Sequence, residues 1–232
     1  MHVHLKPLHG WRAFVGEVGI IVIGVLIALG AEQVVEGAHW RGEVATFRLS
    51  VDSEVALDLG TAEYRMKENG CVERRLDELQ AWLQSWRDGR PLKLAGPIGI
   101  PTSQSPNTSV WGSRSADVVA HMPSEVTFAY ADLYDEFSNN DVHRLDERAA
   151  WLELSEFDGA TGLDHRDLMR LQGLITRARL RDQRLTQNAL NYLKKAADLG
   201  IRPRWAATWP APEPALCRAI LAPVRNPAGR IG

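Results

Sequence analysis

The amino-acid sequence predicts an all-α protein, in which an N-terminal transmembrane helix continues into a long amphipathic helix and an antiparallel bundle of about four helices follows. Three observations lead to this prediction. An apolar run near the N-terminus has a carboxylate at each end. Beyond it, apolar residues recur at steps of three and four, which is the period of a helix. No segment alternates apolar and polar residues for long enough to predict a strand.

Composition and charge are those of an ordinary globular chain. The 232 residues are 45% hydrophobic and 24% charged, and the formal net charge is −2. Such a chain can bury a core. Because its near-neutral charge creates no basic field, we expect no nucleic-acid partner. Cys71 and Cys217 lie far apart without metal-ligand spacing, and they can form one disulfide if the domain is extracytoplasmic.

The N-terminal apolar run lies between Glu17 and Glu32. Its uncharged window of about 14 residues rises roughly 21 Å as a helix, which is less than a bilayer core of about 30 Å. Trp11 and Trp40, however, are about 43 Å apart along a helix, which matches the distance between headgroup layers, where Trp is enriched. We therefore predict a transmembrane helix over residues 13–35, with the two Glu residues at its edges and the two Trp residues at its interfaces.

The charges on either side of the run predict its orientation. Lys6 and Arg12 precede it, whereas mainly carboxylates follow it, so the positive-inside tendency keeps residues 1–12 in the cytoplasm. The C-terminal domain is then periplasmic and the lipid bilayer of the inner membrane is the first partner. Two alternatives stay open, which are signal-peptidase cleavage after Gly30 and a buried helix of a soluble protein.

Small residues share one face of the predicted span. Gly24, Ala28 and Ala31 follow a spacing that lets two helices approach closely, which favours self-association. Gly and Ala are common in membrane helices, however, so a single pattern of this kind is weakly specific.

Residues 36–200 are predicted to form the helical bundle. The first stripe is expected to end or bend at Asn69-Gly70 and then to resume until Gly89. Residues 90–110, rich in Pro, Gly and Ser, are predicted to be a loop lying on the bundle. Three further helices are predicted: a short one after Trp111, one from Pro123 towards Phe157 with a break at Asn139-Asn140, and one from Leu168 to Leu199.

Residues 201–232 form a Pro-rich C-terminal tail in this interpretation. It is predicted to be irregular, because Gly200 and Pro203 end the last helix. Trp205, Trp209 and Cys217 suggest that parts of the tail pack on the bundle.

One helical face carries the best metal-ligand candidates, Glu32, Glu36, His39 and Glu43. The pair Glu36-x-x-His39 has the spacing used by di-iron bundle proteins. Such a site needs a second Glu-x-x-His, and the sequence contains no second copy that fits. We therefore predict no metal and no cofactor, and we keep a metal-binding or enzymatic bundle as an alternative.

Other polar residues have structural interpretations. Asp164 and Asp167 suit the acidic first turn of the last helix, and Ser113 and Ser115 lack the surroundings of a nucleophile elbow. Asp182 interrupts the apolar stripe of that helix, where it can meet Arg or His inside the bundle or mark an outward drift of the stripe. A sensor-like bundle that binds a small ligand near Asp182 is a second alternative.

The segment from Phe14 to Arg41 resembles a group of uncharacterised bacterial membrane proteins with a Gly-Glu before the apolar run and Gly-Val-Leu-Ile-Ala-Leu within it. Here these positions are Gly16, Glu17 and residues 24–29. The resemblance covers about 30 residues well, and it implies a single-span inner-membrane protein of a proteobacterium-like cell. It implies no activity and no catalytic residue.

The leading hypothesis from the sequence is a membrane-anchored, periplasm-facing module without catalytic activity. It offers helical faces to an envelope protein partner or to a second copy of itself. No catalytic constellation is visible in the sequence, so an enzyme is retained only as an alternative.

Overall fold

The computed structural model describes residues 10–205 and 214–221. Within them the chain forms six helices: α1 (Trp11–Arg87), α2 (Ser109–Gly112), α3 (Ala116–His121), α4 (Ser124–Ser155), α5 (His165–Asp198) and α6 (Pro214–Cys217). The described residues contain no β-strand, and an isolated bridge joins Leu94 to Leu221. The all-α prediction is therefore confirmed. Contacts divide the chain into two compact units, Met1–Leu49 with Ser115–Met122, and Ser50–Arg114 with Pro123–Gly232.

The first unit contains the apolar run. α1 carries an 18-residue window of mean hydropathy 2.4, none of which is buried by the protein itself. Of the helices in the described chain, only α1 is long and apolar enough to cross a membrane. Within the same unit, the indole ring of Trp40 stacks on the imidazole ring of His121 in α3, with centroids 4.2 Å apart.

The second unit is a bundle of three long helical segments, which are residues 50–87 of α1, α4 and α5. Arg65 of α1 pairs with both Glu147 and Asp182. Further along α1, Asp77 pairs with Arg179, which precedes Asp182, so α5 runs antiparallel to α1. Other contacts show α4 parallel to α1. The sequence predicts an antiparallel bundle of about four helices. The structure differs in the direction of α4, because the loop after α1 returns along α1 before α4 begins.

The parallel direction of α4 follows from two contacts. Tyr130, near the start of α4, donates a hydrogen bond to Asp52, whereas Glu147, further along α4, accepts one from Arg65. Both helices therefore advance in the same direction.

The α1 and α4 helices both continue where breaks are predicted. α1 does not end at Asn69-Gly70, and α4 passes through Asn139-Asn140. The Asn69 side chain accepts a hydrogen bond from Arg65 and donates one to Thr186. A Gly inside a helix costs about 1 kcal/mol, which the burial of Leu59, Val72 and Leu76 on one face of α1 outweighs. Tertiary packing thus overrides local propensity.

The irregular segment 88–108 and the first turn of α2 are held by carboxylates of α1. Their backbone N–H groups cannot pair within a ladder, and buried N–H groups need acceptors. Glu68 accepts from Thr102 at 3.0 Å, Asp58 from Asn107 at 2.9 Å and Glu54 from Val110 at 2.9 Å. From Thr102 to Val110 the donors pair with carboxylates that lie progressively closer to the N-terminus of α1. The segment therefore lies along α1 and runs antiparallel to it. This confirms that it is a loop on the bundle.

Arg75 holds the other end of the same segment. Its side chain is fully buried, and its guanidinium donates to the carbonyl oxygens of Pro97 and Ile98. It also donates to the carbonyl oxygens of Leu216 and Arg218 in the tail. One charged side chain therefore fastens two irregular pieces of chain to α1.

The core of the second unit lies where α1, α4 and α5 meet the returning loop. Trp82 and Trp151 are fully buried there. The apolar positions shared by the three helices are Val72, Leu76, Leu79, Leu83, Ala150, Leu154, Leu171, Ile175 and Ala178.

The tail packs in part, as predicted. Leu216 and Ile220 are buried in the core, and the backbone N–H of Arg204 donates to the Ala56 carbonyl at 2.7 Å. The Trp205 indole N–H donates to Glu63 at 3.2 Å. Trp209 lies outside the described residues.

Candidate functional site

The second unit contains a polar cleft between its helices and the returning loop. Its cavity volume is about 60 Å³, which leaves room for several waters, since a cavity that holds one water needs about 10–15 Å³. Its polar lining residues are Asp58, Thr61, Arg65, Asn69, Thr102, Ser103, Gln104, Asn140, Asp141, Arg144, Glu147, Thr186 and Tyr192. Its apolar lining residues are Ala62, Met66, Pro106, Phe137, Leu185 and Ala189. The cleft, which we call the Asp58 cleft, can hold a small polar ligand.

One wall of the Asp58 cleft is a buried ion cluster. The Arg65 guanidinium donates to Glu147 and Asp182, both at 2.7 Å, and to the Asn69 side-chain oxygen at 2.7 Å. Burial raises the pKa of the Glu147 and Asp182 carboxyls above their usual values, and the nearby Arg65 charge opposes this. The single positive charge of Arg65 is thus shared between the Glu147 and Asp182 carboxylates.

A second guanidinium, that of Arg144, lies on the loop side of the cleft. It pairs with Asp141 at 2.6 Å and donates to the hydroxyl oxygens of Ser103 and Ser105. Both arginines that line the cleft are therefore already engaged with carboxylates.

Asp58 differs from these acids because no cation meets it. One carboxylate oxygen accepts the Asn107 N–H, whereas the other, Oδ2, is buried and has no hydrogen-bond partner in the described part of the chain. The residue is 9% exposed. Burial raises the pKa of Asp58 to about 7, the Asn107 N–H opposes the rise, and the nearby Glu54 adds to it. An acid near half ionisation at neutral pH lines the cleft.

Glu54 lies one helical turn before Asp58 and is also buried. It accepts hydrogen bonds from neutral donors, namely the Tyr134 hydroxyl at 2.7 Å, the Ser109 hydroxyl and the Val110 N–H. Burial, with the hydrogen bond to Glu54, raises the pKa of the Tyr134 hydroxyl. Since no cation pairs with Glu54 or Asp58 among the described residues, this end of the cleft carries surplus negative charge.

The predicted membrane-edge residues lie on the part of α1 that belongs to the first unit. Glu17 and Glu32 are exposed, Trp11 is 76% exposed, and Trp40 is half-buried against His121. Along the predicted packing face, Gly24, Ala28 and Ala31 are exposed, and none of the described residues covers them.

The proposed metal-ligand face also lies on this part of α1. Glu32, Glu36, His39 and Glu43 are all exposed. Within residues 10–205 and 214–221, no three His, Cys, Asp or Glu side chains converge as a metal-binding group. The residues of this face are thus neighbours along one helix and are not joined by ligands from another.

The two cysteines are brought together. Cys71 of α1 and Cys217 of α6 form a disulfide with their Cα atoms 4.7 Å apart. The bond fastens the tail next to the carbonyl groups that Arg75 holds.

The other polar candidates have structural roles. Asp164 and Asp167 form a capping box at the start of α5, and Ser115 caps α3 by accepting the Val118 N–H. Asp182 lies inside the bundle and meets Arg65, which is the first of its two predicted placements.

Sequence reasoning missed Glu54, Asp58, Arg65, Glu68 and Arg75 as buried residues. Their spacing carries a signal, because they follow one another along α1 by steps of three, four and seven, parallel to the apolar stripe. Periodic charges beside an apolar stripe are typical of a solvated face. The returning loop, which lacks a pattern of its own, covers Glu54, Asp58 and Glu68, whereas Arg65 meets carboxylates of α4 and α5 and Arg75 meets both the loop and the tail.

Comparison with protein-family models, curated proteins and solved structures finds no match to this chain.

Proposed function

We propose that this protein is a single-span protein of a bacterial inner membrane whose helical bundle faces the periplasm and serves as a non-catalytic binding module. The observation that carries the proposal is the uncovered apolar surface of α1. Large side chains such as Ile20, Ile23 and Ile27 are more than half exposed. Since apolar surface of this extent is unfavourable in water, a bilayer is its natural cover.

Two features support the orientation. Lys6 and Arg12 precede the apolar run, and retention of cationic flanks in the cytoplasm places the bundle on the other side. The Cys71–Cys217 disulfide fits this placement, because such bonds persist in oxidising compartments and are rare in the bacterial cytoplasm.

The binding role is supported by how the bundle uses its charged residues. Glu68 and Arg75 hold the returning loop and the tail, and Asp164 with Asp167 caps α5. These groups are committed to structure. Val142, Leu145 and Leu152 lie close together on the outer face of α4 and are exposed, which suits a contact with an envelope protein or a second copy.

The topology is tested by fusions at the C-terminus. An alkaline phosphatase that works only after export should be active and remain in washed membranes, whereas a fluorescent protein that needs the cytoplasm should be dark. Fluorescence without phosphatase activity would place the bundle in the cytoplasm and overturn the proposal. Phosphatase released from the membranes would favour cleavage after Gly30.

The hypothesis that the protein binds a second copy of itself is tested by measuring its molar mass in a non-ionic detergent. Leu145→Glu should convert an oligomer to a monomer if α4 forms the contact, and Gly24→Ile should do so if the span forms it. Leu180→Glu, which places the same charge on an exposed position of α5, serves as the matched control. A wild-type chain that is monomeric at all concentrations would leave an envelope protein as the partner.

A further inference from the structure

The Asp58 cleft combines three features that structural packing does not require. It opens between the helices and the returning loop, and it is lined by a carboxylate with one buried, unpartnered oxygen. Natural structures rarely leave such groups unsatisfied, and exceptions ask for an explanation. The third feature is the surplus negative charge contributed by Glu54 beside Asp58.

The charges of the cleft select the sign of the ligand. Arg65 and Arg144 already pair with Glu147, Asp182 and Asp141. Arg65 Nε has no hydrogen-bond partner in the described part of the chain, but an anion placed there would lie next to the Glu147 and Asp182 carboxylates and would be repelled by them. Asp58, by contrast, has no cation to displace. A positively charged group that donates to its free oxygen would gain a charge-assisted hydrogen bond, which is about twice as strong as a neutral one.

The lining selects the kind of cation. A metal ion needs several converging ligands, whereas a single free carboxylate oxygen suits one N–H donor. Around it lie the apolar side chains of Met66, Leu185 and Ala189 and the rings of Phe137 and Tyr192, whose centroids are 5.2 Å apart. Such walls suit a short alkyl chain, and aromatic faces attract ammonium groups.

We propose that the Asp58 cleft binds a small organic cation, a protonated amine of a few heavy atoms whose ammonium group donates to the Asp58 carboxylate. This site goes beyond the anchored binding module proposed above and does not depend on which side of a membrane the bundle occupies.

The test is a calorimetric titration of the full chain, purified in a non-ionic detergent, with n-propylammonium chloride at pH 8. For a ligand of about four heavy atoms we expect saturable binding with a Kd between about 0.05 and 5 mM. Propanol and sodium propionate have the same size without the positive charge, and neither should bind. Absence of saturation with the amine, or tighter binding of propionate, would overturn the proposal.

Two variants locate the binding. Asp58→Asn keeps the shape and the acceptor for the Asn107 N–H, and it should weaken propylammonium binding at least about tenfold, as expected for loss of one charge-assisted hydrogen bond. Asp132→Asn removes the same charge from an exposed position of α4 and should leave the Kd within about twofold. Equal weakening by both variants would show a non-specific charge effect. Should Asp58→Asn fail to fold, the comparison of amine, alcohol and carboxylate on the wild-type chain still decides.

Discussion

Two stretches of the same helix differ in whether the protein buries their apolar side chains. In residues 14–35 of α1, large apolar side chains are exposed. In residues 50–87, apolar side chains such as Val55 and Leu59 are buried, and Glu54, Glu68 and Arg75 are buried beside them. Between Glu17 and Glu32 the first stretch is apolar all round, whereas the second has an apolar stripe next to a charged one.

The comparison teaches that hydrophobicity and burial are separate quantities. A stretch that is apolar on every face has no side to turn to water and needs a cover from outside the chain. A stretch with an apolar stripe orients itself against partner helices, and its charges can be buried if backbone groups satisfy them. The four predictions below test this contrast.

The largest expected difference is between two Val→Asp substitutions, one placed in each stretch. Val55→Asp puts an unpaired carboxylate into the core and should cost more than about 4 kcal/mol of folding free energy. Val25→Asp should leave the unfolding of the bundle unchanged and oppose membrane insertion by about 3 kcal/mol. Urea unfolding in detergent measures the first effect, and retention in carbonate-washed membranes measures the second. A lower unfolding midpoint in Val25→Asp would mean that protein, and not lipid, covers the first stretch.

The next effect concerns Arg75. Arg75→Ala leaves several buried carbonyl groups of the loop and tail without a donor, and we expect a loss of about 3–5 kcal/mol of stability. Arg179→Ala removes an arginine of the same bundle whose partner Asp77 is exposed, and it should cost at most about 1 kcal/mol. Chemical unfolding of both variants provides the measurement. Similar losses would contradict the view that burial sets the value of these charges.

The disulfide should contribute less than Arg75. Cys71→Ser with Cys217→Ser opens a loop with a sequence separation of 146, which in the chain-entropy model costs about 5 kcal/mol, while typical measured losses are about 2–4 kcal/mol. The midpoint of urea unfolding should fall to the value found for reduced wild-type chain. An oxidised and a reduced wild type with equal midpoints would contradict this expectation.

The smallest expected effect is a gain in folding stability when Asp58 is replaced by Asn. The pKa of Asp58 is raised from 3.8 to about 7, so between these pH values the folded chain keeps a proton that the unfolded chain releases. Folding stability therefore falls as the pH rises through this window, and the loss is complete above about pH 7. Asp58→Asn should be more stable than wild type by about 2 kcal/mol at pH 8, after allowance for its buried amide.

The same gain should vanish near pH 3, below the unfolded pKa of 3.8, where Asp58 is mostly protonated in both states. Because Glu147 and Asp182 are present in both proteins, the difference between the two unfolding curves isolates Asp58. A variant less stable than wild type at pH 8 would mean that the charged carboxylate is stabilised by its surroundings.

Periodicity predicts most of the fold, because it records which faces are apolar. It predicts the loop over residues 90–110 and the end of α5 before Gly200. It does not predict that α1 continues through Asn69-Gly70, since the contacts that hold Asn69 come from Arg65 and from Thr186 in α5.

The Asp58 cleft is less accessible to sequence reasoning. Asp182 is recognisable because it interrupts an apolar stripe. Asp58 and Glu54 lie in a regular charged stripe, and their burial depends on the N–H groups of residues 107–111. Backbone donors are the same for every residue type, so the loop sequence carries no sign of which carboxylate it will cover.

The bond between Cys71 and Cys217 also has a consequence for the order of events during biosynthesis. At about 5–20 residues per second, the ribosome needs roughly 7–30 s to proceed from the first cysteine to the second. Both α4 and α5 are translated within that interval, so they can pack before the bond closes. Until then the Cys71 thiol is open to mixed disulfides with oxidases or small thiols, and exchange with the Cys217 thiolate completes the bond. The disulfide therefore fixes an assembled bundle and cannot guide its early folding.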